Sequence, residues 1–156
     1  MKVLALGGSG GMGRYAVQYL HNIKQIEKIY VADVNSLSAK KFASHFDNRV
    51  EGLKLDIRDF ETLKSEMSKV DIVVNTTGPF FLFAEPILKA AIQTNTHYFD
   101  ICDDWEPTEK MLQMNEDAKK ANITAIIGLG ASPGLTNILA HMAISELDEV
   151  LSLIHI

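Results

Sequence analysis

Three glycines with the spacing Gly-x-Gly-x-x-Gly lie between an apolar segment and a helix-like segment near the start of the chain. The loop follows the apolar residues 2–6 and precedes a stretch whose apolar residues recur three and four apart. We expect Gly8 to permit a tight turn, Gly10 to let the backbone approach a pyrophosphate, and Gly13 to let the helix pack closely on the strand. The free amides of a helix start attract anions. We therefore predict a dinucleotide phosphate site at Gly8, Ser9, Gly10, Gly11, Met12 and Gly13.

A carboxylate follows this loop at the distance expected for a ribose contact. Asp33 ends the second predicted strand, 20 residues after Gly13. A carboxylate there accepts hydrogen bonds from ribose hydroxyls and repels a 2′-phosphate, so Asp33 favours NAD. NADP as the cofactor stays open, because side chains that could hold its 2′-phosphate come soon after Asp33, namely Ser36, Ser38, Lys40 and Lys41. Asn35 and Asp56 are further candidates at the adenosine end, and Asp56 is equally suited to cap a helix from Arg58.

Segments rich in Val, Ile and Leu alternate with segments of helical periodicity along the chain. Several of the strand-like segments, such as 71–75 and 125–129, are apolar on both faces, so helices must bury both faces of their sheet. This pattern predicts an α/β fold: a Rossmann-type doubly wound parallel sheet in three α/β/α layers. Six helices separate seven predicted strands at 2–6, 28–33, 51–56, 71–75, 97–102, 124–129 and 150–156.

Three of the predicted helices show a clear apolar stripe at a period of 3.6 residues. We expect each stripe to face the sheet. The predicted buried positions are Met12, Tyr15, Ala16, Tyr19, Leu20 and Ile23 in the first helix, Ala84, Ile87, Leu88, Ala91 and Ile92 in the fourth, and Leu135, Ile138, Leu139, Met142 and Ala143 in the last.

Length and charge exclude several classes of protein. With 156 residues the chain forms one dinucleotide-binding domain, predicted over 1–149, and 150–156 is interpreted as the start of a truncated substrate and dimerisation domain. A net charge of −5 argues against a nucleic-acid partner. No apolar run reaches the ~20 residues of a membrane span. The single cysteine, Cys102, forms no internal disulfide, so we expect a cytoplasmic protein.

Three loops that follow strands four, five and six are expected to line the crevice where ligands bind in such sheets. The first supplies cofactor candidates, which are Asn75, Thr76, Gly78 and Pro79. Candidates on the nicotinamide and substrate side are Phe80, Asp103, Pro133, Gly134, Thr136 and Asn137. Ser132 is predicted to cap the last helix, with Pro133 as its first residue. We expect the free amides of this helix start to face the crevice.

No metal site is expected. His97 and Asp100 would point to opposite sides of the sheet, because residues of a strand alternate faces. No basic residue flanks Cys102, so we interpret it as a buried small residue rather than a nucleophile.

Taken together, these segments resemble the NAD(P)-binding domain of the saccharopine dehydrogenase and saccharopine reductase family. The resemblance covers nearly the whole chain and is carried most specifically by Gly78-Pro79-Phe80 and Pro133-Gly134-Leu135. It implies an enzyme of amino-acid metabolism that passes hydride between nicotinamide and the carbon of an imine or secondary amine, with an amino-acid-like substrate and a homodimeric full-length form. Family members often carry Arg where this chain has Val34, which again favours NAD. A non-catalytic NAD(H)-binding regulatory module stays open as the alternative.

Overall fold

The computed structural model describes residues 1–152 and 154. Across that range, strands and helices alternate in the predicted way. The strands are β1 (Lys2–Leu6), β2 (Lys28–Asp33), β3 (Val50–Lys54), β4 (Ile72–Asn75), β5 (His97–Asp100) and β6 (Ala125–Ile126). The helices are α1 (Gly11–His21), α2 (Ser36–Ala43), α3 (Phe60–Met67), α4 (Phe80–Gln93), α5 (Trp105–Gln113), α6 (Asn115–Lys120) and α7 (Leu135–Ser145). One helix more than predicted is present because the segment between β5 and β6 is divided into α5 and α6.

The six strands form one parallel sheet in the order β3-β2-β1-β4-β5-β6. The chain moves outward from β1 to β3 and then crosses to β4 on the other side of β1. A crevice forms at such a reversal, outside the carboxyl ends of the strands, and ligands of open α/β sheets bind there. The predicted Rossmann-type doubly wound fold is confirmed.

Both faces of the sheet are buried, as the apolar strands predicted. In β1, Leu4 and Leu6 belong to one hydrophobic cluster, while Val3 and Ala5 belong to a second cluster on the opposite face. Successive side chains of a strand point to opposite faces, so β1 contributes to both cores. The predicted face of α4 is also confirmed, with four positions buried and Ile92 partly buried: Ala84, Ile87, Leu88, Ala91 and Ile92.

β3 and β4 are each one residue shorter than predicted, and β5 and β6 are shorter by two and four residues. β5 and β6 end early because one side chain accepts hydrogen bonds from the backbone amides that follow them. β5 ends at Asp100, whose Oδ1 accepts the amide of Cys102 at 3.0 Å. The same oxygen accepts the amide of Gly128 at 2.8 Å. Gly128 has a φ of +68°, which turns the chain away from the sheet after Ile126. The predicted strands 97–102 and 124–129 are therefore wrong in their second halves.

The predicted buried face of α1 is confirmed in part: Leu20 and Ile23 pack against the second hydrophobic cluster, whereas three of the predicted positions are exposed. Gly13 and Val17 are the buried residues of this helix, whereas Tyr15 and Tyr19 are each 72% exposed. Met12 is exposed as well. Gly13 faces the loop between β1 and α1, because a Cβ atom at this position would overlap the Gly7 carbonyl oxygen. This close contact sets the rotation of the helix.

The predicted face of α7 is exposed rather than buried, because none of the other described elements packs extensively against it. The residues concerned are Leu135, Ile138, Leu139, Met142 and Ala143. The predicted strand 150–156 is also not found: 150–152 and 154 belong to no strand, and 153, 155 and 156 lie outside the described residues. Over the described ranges, no helix has the length and apolar character needed to span a membrane.

Candidate functional site

The glycine loop connects β1 to α1 at the centre of the sheet. Gly7 has a φ of +67°, and its carbonyl oxygen accepts the Gly10 amide at 2.9 Å. The left-handed turn therefore lies at Gly7, one residue before the predicted position, Gly8. Gly10 precedes the first helical residue, Gly11, and caps α1 without a side chain. The amides of the first turn of α1 thus begin directly at the loop, as a phosphate site requires.

Gly13 allows α1 to lie directly against the loop. A Cβ atom at Gly13 would overlap the carbonyl oxygen of Gly7 and would lie 2.7 Å from Cα of Gly8. Both neighbours are backbone atoms and have no room to move. This geometry agrees with the close packing predicted for the third glycine of the motif.

A cavity of about 440 Å³ opens at the carboxyl ends of β1, β2 and β4. Its walls come from the loops after these strands and after β3, so the topological reversal places them together. The predicted candidates Asp33, Asp56, Thr76 and Gly78 all line it. The other lining residues are Leu6, Gly7, Ala32, Val34, Leu55, Ile57, Arg58, Thr77 and Phe83.

Asp33 stands at the end of β2 with both carboxylate oxygens engaged. Its Oδ2 accepts a hydrogen bond from Ser9 Oγ at 2.5 Å, and its Oδ1 accepts the amide of Asn35 at 2.9 Å. Each carboxylate oxygen has a second lone pair, so both can still accept from a ligand. Asn35 itself is the N-cap of α2, where its side chain accepts the amide of Ser38 at 3.0 Å.

Asp56 lies in the loop after β3 and does not cap a helix. Arg58 donates to it through the backbone amide, Nε and an Nη, at distances from 2.6 to 3.2 Å. These bonds lower the pKa of Asp56 to about 2. The helix that follows begins at Phe60 and is capped by Asp59. Of the two interpretations of Asp56, the capping role is wrong, and the residue lies at the cavity wall.

The loop after β4 is fixed from inside the protein. The Asn75 side chain is fully buried, donates to Tyr98 Oη at 3.1 Å and accepts the Thr77 amide at 3.0 Å. Thr76 Oγ1 donates to Leu6 O at 2.9 Å. Thr77 Oγ1 is a buried hydroxyl without a partner within the described residues. Sequence reasoning missed Thr77, although its position between Thr76 and Gly78 was a signal for it.

A buried polar network joins β4, β5 and the loop after β6. Tyr98 Oη donates to Asp100 Oδ2 at 2.7 Å, and Asp100 Oδ1 accepts the two amides described above. Burial, together with the charge of Asp100, raises the pKa of Tyr98 well above its ordinary value. Cys102 is fully buried, and burial raises the pKa of its thiol, in agreement with a structural role. Sequence reasoning also missed this network, since no local pattern pairs residues 75, 98 and 128.

A second depression, of about 460 Å³, lies beside the start of α7. It brings together four of the predicted substrate-side residues: Asp103, Pro133, Thr136 and Asn137. Phe80, by contrast, begins α4 and packs against the hydrophobic core. Gly134 is the residue directly before α7.

The start of α7 differs from the prediction. The helix begins at Leu135, so Ser132 is not its cap and Pro133 is not its first residue. The amides of Leu135 and Thr136 donate to Gly130 O and Ala131 O, at 2.9 and 3.0 Å. The Gly134 amide donates to Asn137 Oδ1 at 3.0 Å. These three amides are therefore already used inside the loop and are not free for a ligand, contrary to our expectation.

No group of three or more His, Cys, Asp or Glu side chains lies together as a metal site would require, within the part of the chain that the structure describes. His97 accepts the Thr124 amide through Nδ1 at 2.9 Å, which anchors the loop before β6.

The order of the strands, the glycine loop between β1 and α1, and the position of Asp33 at the end of β2 together define a Rossmann-type dinucleotide-binding domain. The family described as the saccharopine dehydrogenase NADP binding domain matches residues 3–126. The chain belongs to this family.

Individual relatives agree with this assignment. The chain is 28% identical, over 82% of its length, to a lipid droplet localized protein of Caenorhabditis elegans, and covers 32% of that protein. It is 26% identical, over 96% of its length, to the NADP(+)-dependent, L-glutamate-forming saccharopine dehydrogenase of Schizosaccharomyces pombe, and again covers 32%. The structure of the L-Glu-forming saccharopine dehydrogenase of Saccharomyces cerevisiae superimposes with a TM-score of 0.80 at 23% identity, over 93% of this chain and 31% of that one. The chain thus spans about a third of the length of these relatives.

Proposed function

We propose that this chain binds a nicotinamide dinucleotide between the glycine loop and Asp33, as the cofactor-binding part of an oxidoreductase. One observation carries the proposal. At the reversal of strand order, the loop from β1 to α1 and the carboxylate of Asp33 border the same cavity. A diphosphate near the start of α1 and a ribose near Asp33 would satisfy both features at once.

The residues present fit such a cofactor. The cavity of about 440 Å³ lies within the range of small-molecule sites, roughly 300–1,000 Å³. Gly13 leaves room for α1 beside the loop, and a side chain there would push the helix away. Asp56, Thr76, Thr77 and Gly78 complete the wall of the cavity. The loop candidates Gly8, Ser9, Gly10, Gly11, Met12 and Pro79 do not line it; we propose that the loop holds the diphosphate beside the cavity, next to Gly7.

The reaction we propose for the full-length protein is the interconversion of an imine and a secondary amine. A bound nicotinamide supplies the hydride, and a proton from the protein or from water completes the reduction of the C=N bond. The substrate is an amino-acid-like small molecule; two relatives that are L-glutamate-forming saccharopine dehydrogenases support this proposal. In this chain, the depression formed by Asp103, Pro133, Thr136 and Asn137, with Gly134 next to Pro133 in the chain, is the candidate nicotinamide and substrate side. We assign no proton donor.

We further propose that NAD is preferred over NADP. Asp33 would repel a 2′-phosphate, and the neighbouring Val34 offers no charge to it. Among the described residues that line the cavity, Arg58 is the one cation, and its guanidinium is paired with Asp56. The family description names NADP, so this preference would be a departure of the present chain.

The test is a calorimetric titration of NAD and NADP into the wild type, Asp33→Ala and Asp117→Ala. Asp117 lies on the exposed surface of α6 and controls for the loss of one negative charge. We expect Asp33→Ala to weaken NAD binding at least about tenfold, because it removes charge-assisted bonds to the ribose. NADP affinity should stay equal or rise. A wild type that prefers NADP would contradict the NAD assignment, and one that binds neither would contradict the function.

Two properties of the full-length protein are also proposals. We expect a homodimer, which light scattering coupled to gel filtration would test. We expect a cytoplasmic location. One relative is described as lipid droplet localized, so fluorescence imaging of the tagged protein must separate a diffuse from a droplet-bound signal.

A further inference from the structure

Ser9 occupies an unusual place in the glycine loop because its side chain is turned inward. It is only 5% exposed, although the adjoining residues Gly10 and Gly11 are exposed. Its hydroxyl donates to Asp33 Oδ2 at 2.5 Å. Arg14 Nε donates to the Ser9 carbonyl at 2.7 Å, which fixes the backbone of Ser9 from the other side.

A second hydroxyl supports the first. Ser9 Oγ and Ser38 Oγ lie 2.9 Å apart. A serine hydroxyl has one hydrogen, and that of Ser9 points at the carboxylate, so Ser38 supplies the hydrogen for the second bond. Ser38 is in the first turn of α2, and its own amide donates to Asn35 Oδ1 at 3.0 Å.

The contacts close into a ring of four hydrogen bonds. From Asp33 Oδ2 the ring passes to Ser9, then to Ser38 and Asn35, and the Asn35 amide returns to Asp33 Oδ1 at 2.9 Å. The ring joins the glycine loop, the end of β2 and the start of α2. It holds the carboxylate by both oxygens, so the side chain cannot turn away without breaking at least one bond.

We propose that Ser9 is a positioning residue that determines cofactor specificity through Asp33. By fixing the carboxylate at the cavity wall, the Ser9 hydroxyl keeps it ready for the ribose hydroxyls and keeps it from swinging aside for a 2′-phosphate. The inference rests on the proposed function, because it presumes that Asp33 faces the ribose. Ser9 need not contact the cofactor through its side chain.

Ser9→Ala is the direct perturbation. Losing one hydrogen bond to Asp33 should lower the ratio of NADP Kd to NAD Kd by about 2- to 12-fold, the range that the net contribution of one hydrogen bond represents. Ser38→Ala removes the support for Ser9 and should shift the ratio in the same direction by less. Ser44→Ala is the matched control, since this serine is the C-cap of the same helix and its hydroxyl donates to Lys41 O, at the opposite end of the helix from Ser38. It should leave the ratio unchanged.

A double-mutant cycle separates positioning from direct contact. In the Asp33→Ala background, Ser9→Ala should change the ratio by less than twofold, because its effect acts through the carboxylate. Full additivity of the two substitutions would overturn the inference, as would a wild-type ratio in Ser9→Ala. If circular dichroism shows that Ser9→Ala folds poorly, the same double-mutant cycle is measured with Ser38→Ala in its place.

The outcomes also distinguish the two proposals. A wild type that binds no dinucleotide contradicts the proposed function itself. A wild type that prefers NAD and loses the preference in Asp33→Ala, but keeps it in Ser9→Ala, contradicts the role of Ser9 alone.

Discussion

The third glycine of the loop offers the sharpest test of the fold around the site. In Gly13→Ala, the new Cβ would overlap the Gly7 carbonyl oxygen and approach the Gly8 Cα to 2.7 Å. Because both neighbours are backbone, the helix itself has to move. Overpacking of this kind costs about 1–3 kcal/mol. For a domain of this size, that corresponds to a fall in Tm of about 2–12 °C.

Gly11→Ala is the matched control for this experiment. Gly11 is the first residue of α1, and a Cβ there would meet no atom within 4 Å. The same substitution two residues away should leave the free energy of unfolding unchanged or raise it by up to about 1 kcal/mol, since alanine favours helix over glycine.

Urea denaturation followed by circular dichroism gives the free energies of unfolding, and calorimetry gives dinucleotide affinity. We expect Gly13→Ala to lose both stability and binding, because the amides of the first turn of α1 move away from the loop. Equal stability of the two alanine variants would refute the reasoning, and so would undiminished binding by Gly13→Ala.

Two further outcomes are expected. Tyr98→Phe leaves Asn75 Nδ2 and Asp100 Oδ2 without their buried partner and should lower the free energy of unfolding by about 1–3 kcal/mol in urea; a loss below about 0.5 kcal/mol would contradict the network. Asp56 has a folded pKa of about 2, below its ordinary 3.8, so its pair with Arg58 stabilises the fold above pH 4 and is lost toward pH 2. The urea midpoints of wild type and Asp56→Asn should therefore differ at pH 6 and converge at pH 2; a constant difference would argue against the pair.

Local pattern and side-chain contacts differ in how far they could be predicted. The strand–loop–helix order, the glycine loop and Asp33 follow from spacing along the chain, and the structure brings Asp33 to the same cavity as the loop. The end of β5 has a local signal, because the Asp100 side chain accepts the amide two residues on, as aspartates in turns do. The end of β6 could not be predicted, because the Gly128 amide meets Asp100 only after the chain has folded. Strand propensity contains no information about a partner 28 residues away.

The buried faces predicted for α1 and α7 differ from the structure for a second reason. Apolar periodicity in α1 selected Tyr15 and Tyr19, which are exposed, while the small residue Gly13 is buried. A contact of backbone with backbone outweighed the burial of two aromatic rings at this position. In α7, periodicity identified an apolar face, but burial requires a partner surface, which a single helix cannot specify.

The sequence alone therefore determined the class of fold and predicted a nicotinamide dinucleotide site, since both inferences depend on residues close together in the chain. The tertiary structure decided how the site is assembled. Only folding placed Ser9 and Ser38 beside Asp33, buried Asn75 against Tyr98, and used the first amides of α7 inside its own loop. The physical reason is that hydrogen-bond partners are chosen by distance in space, and the sheet sets those distances for residues far apart in sequence.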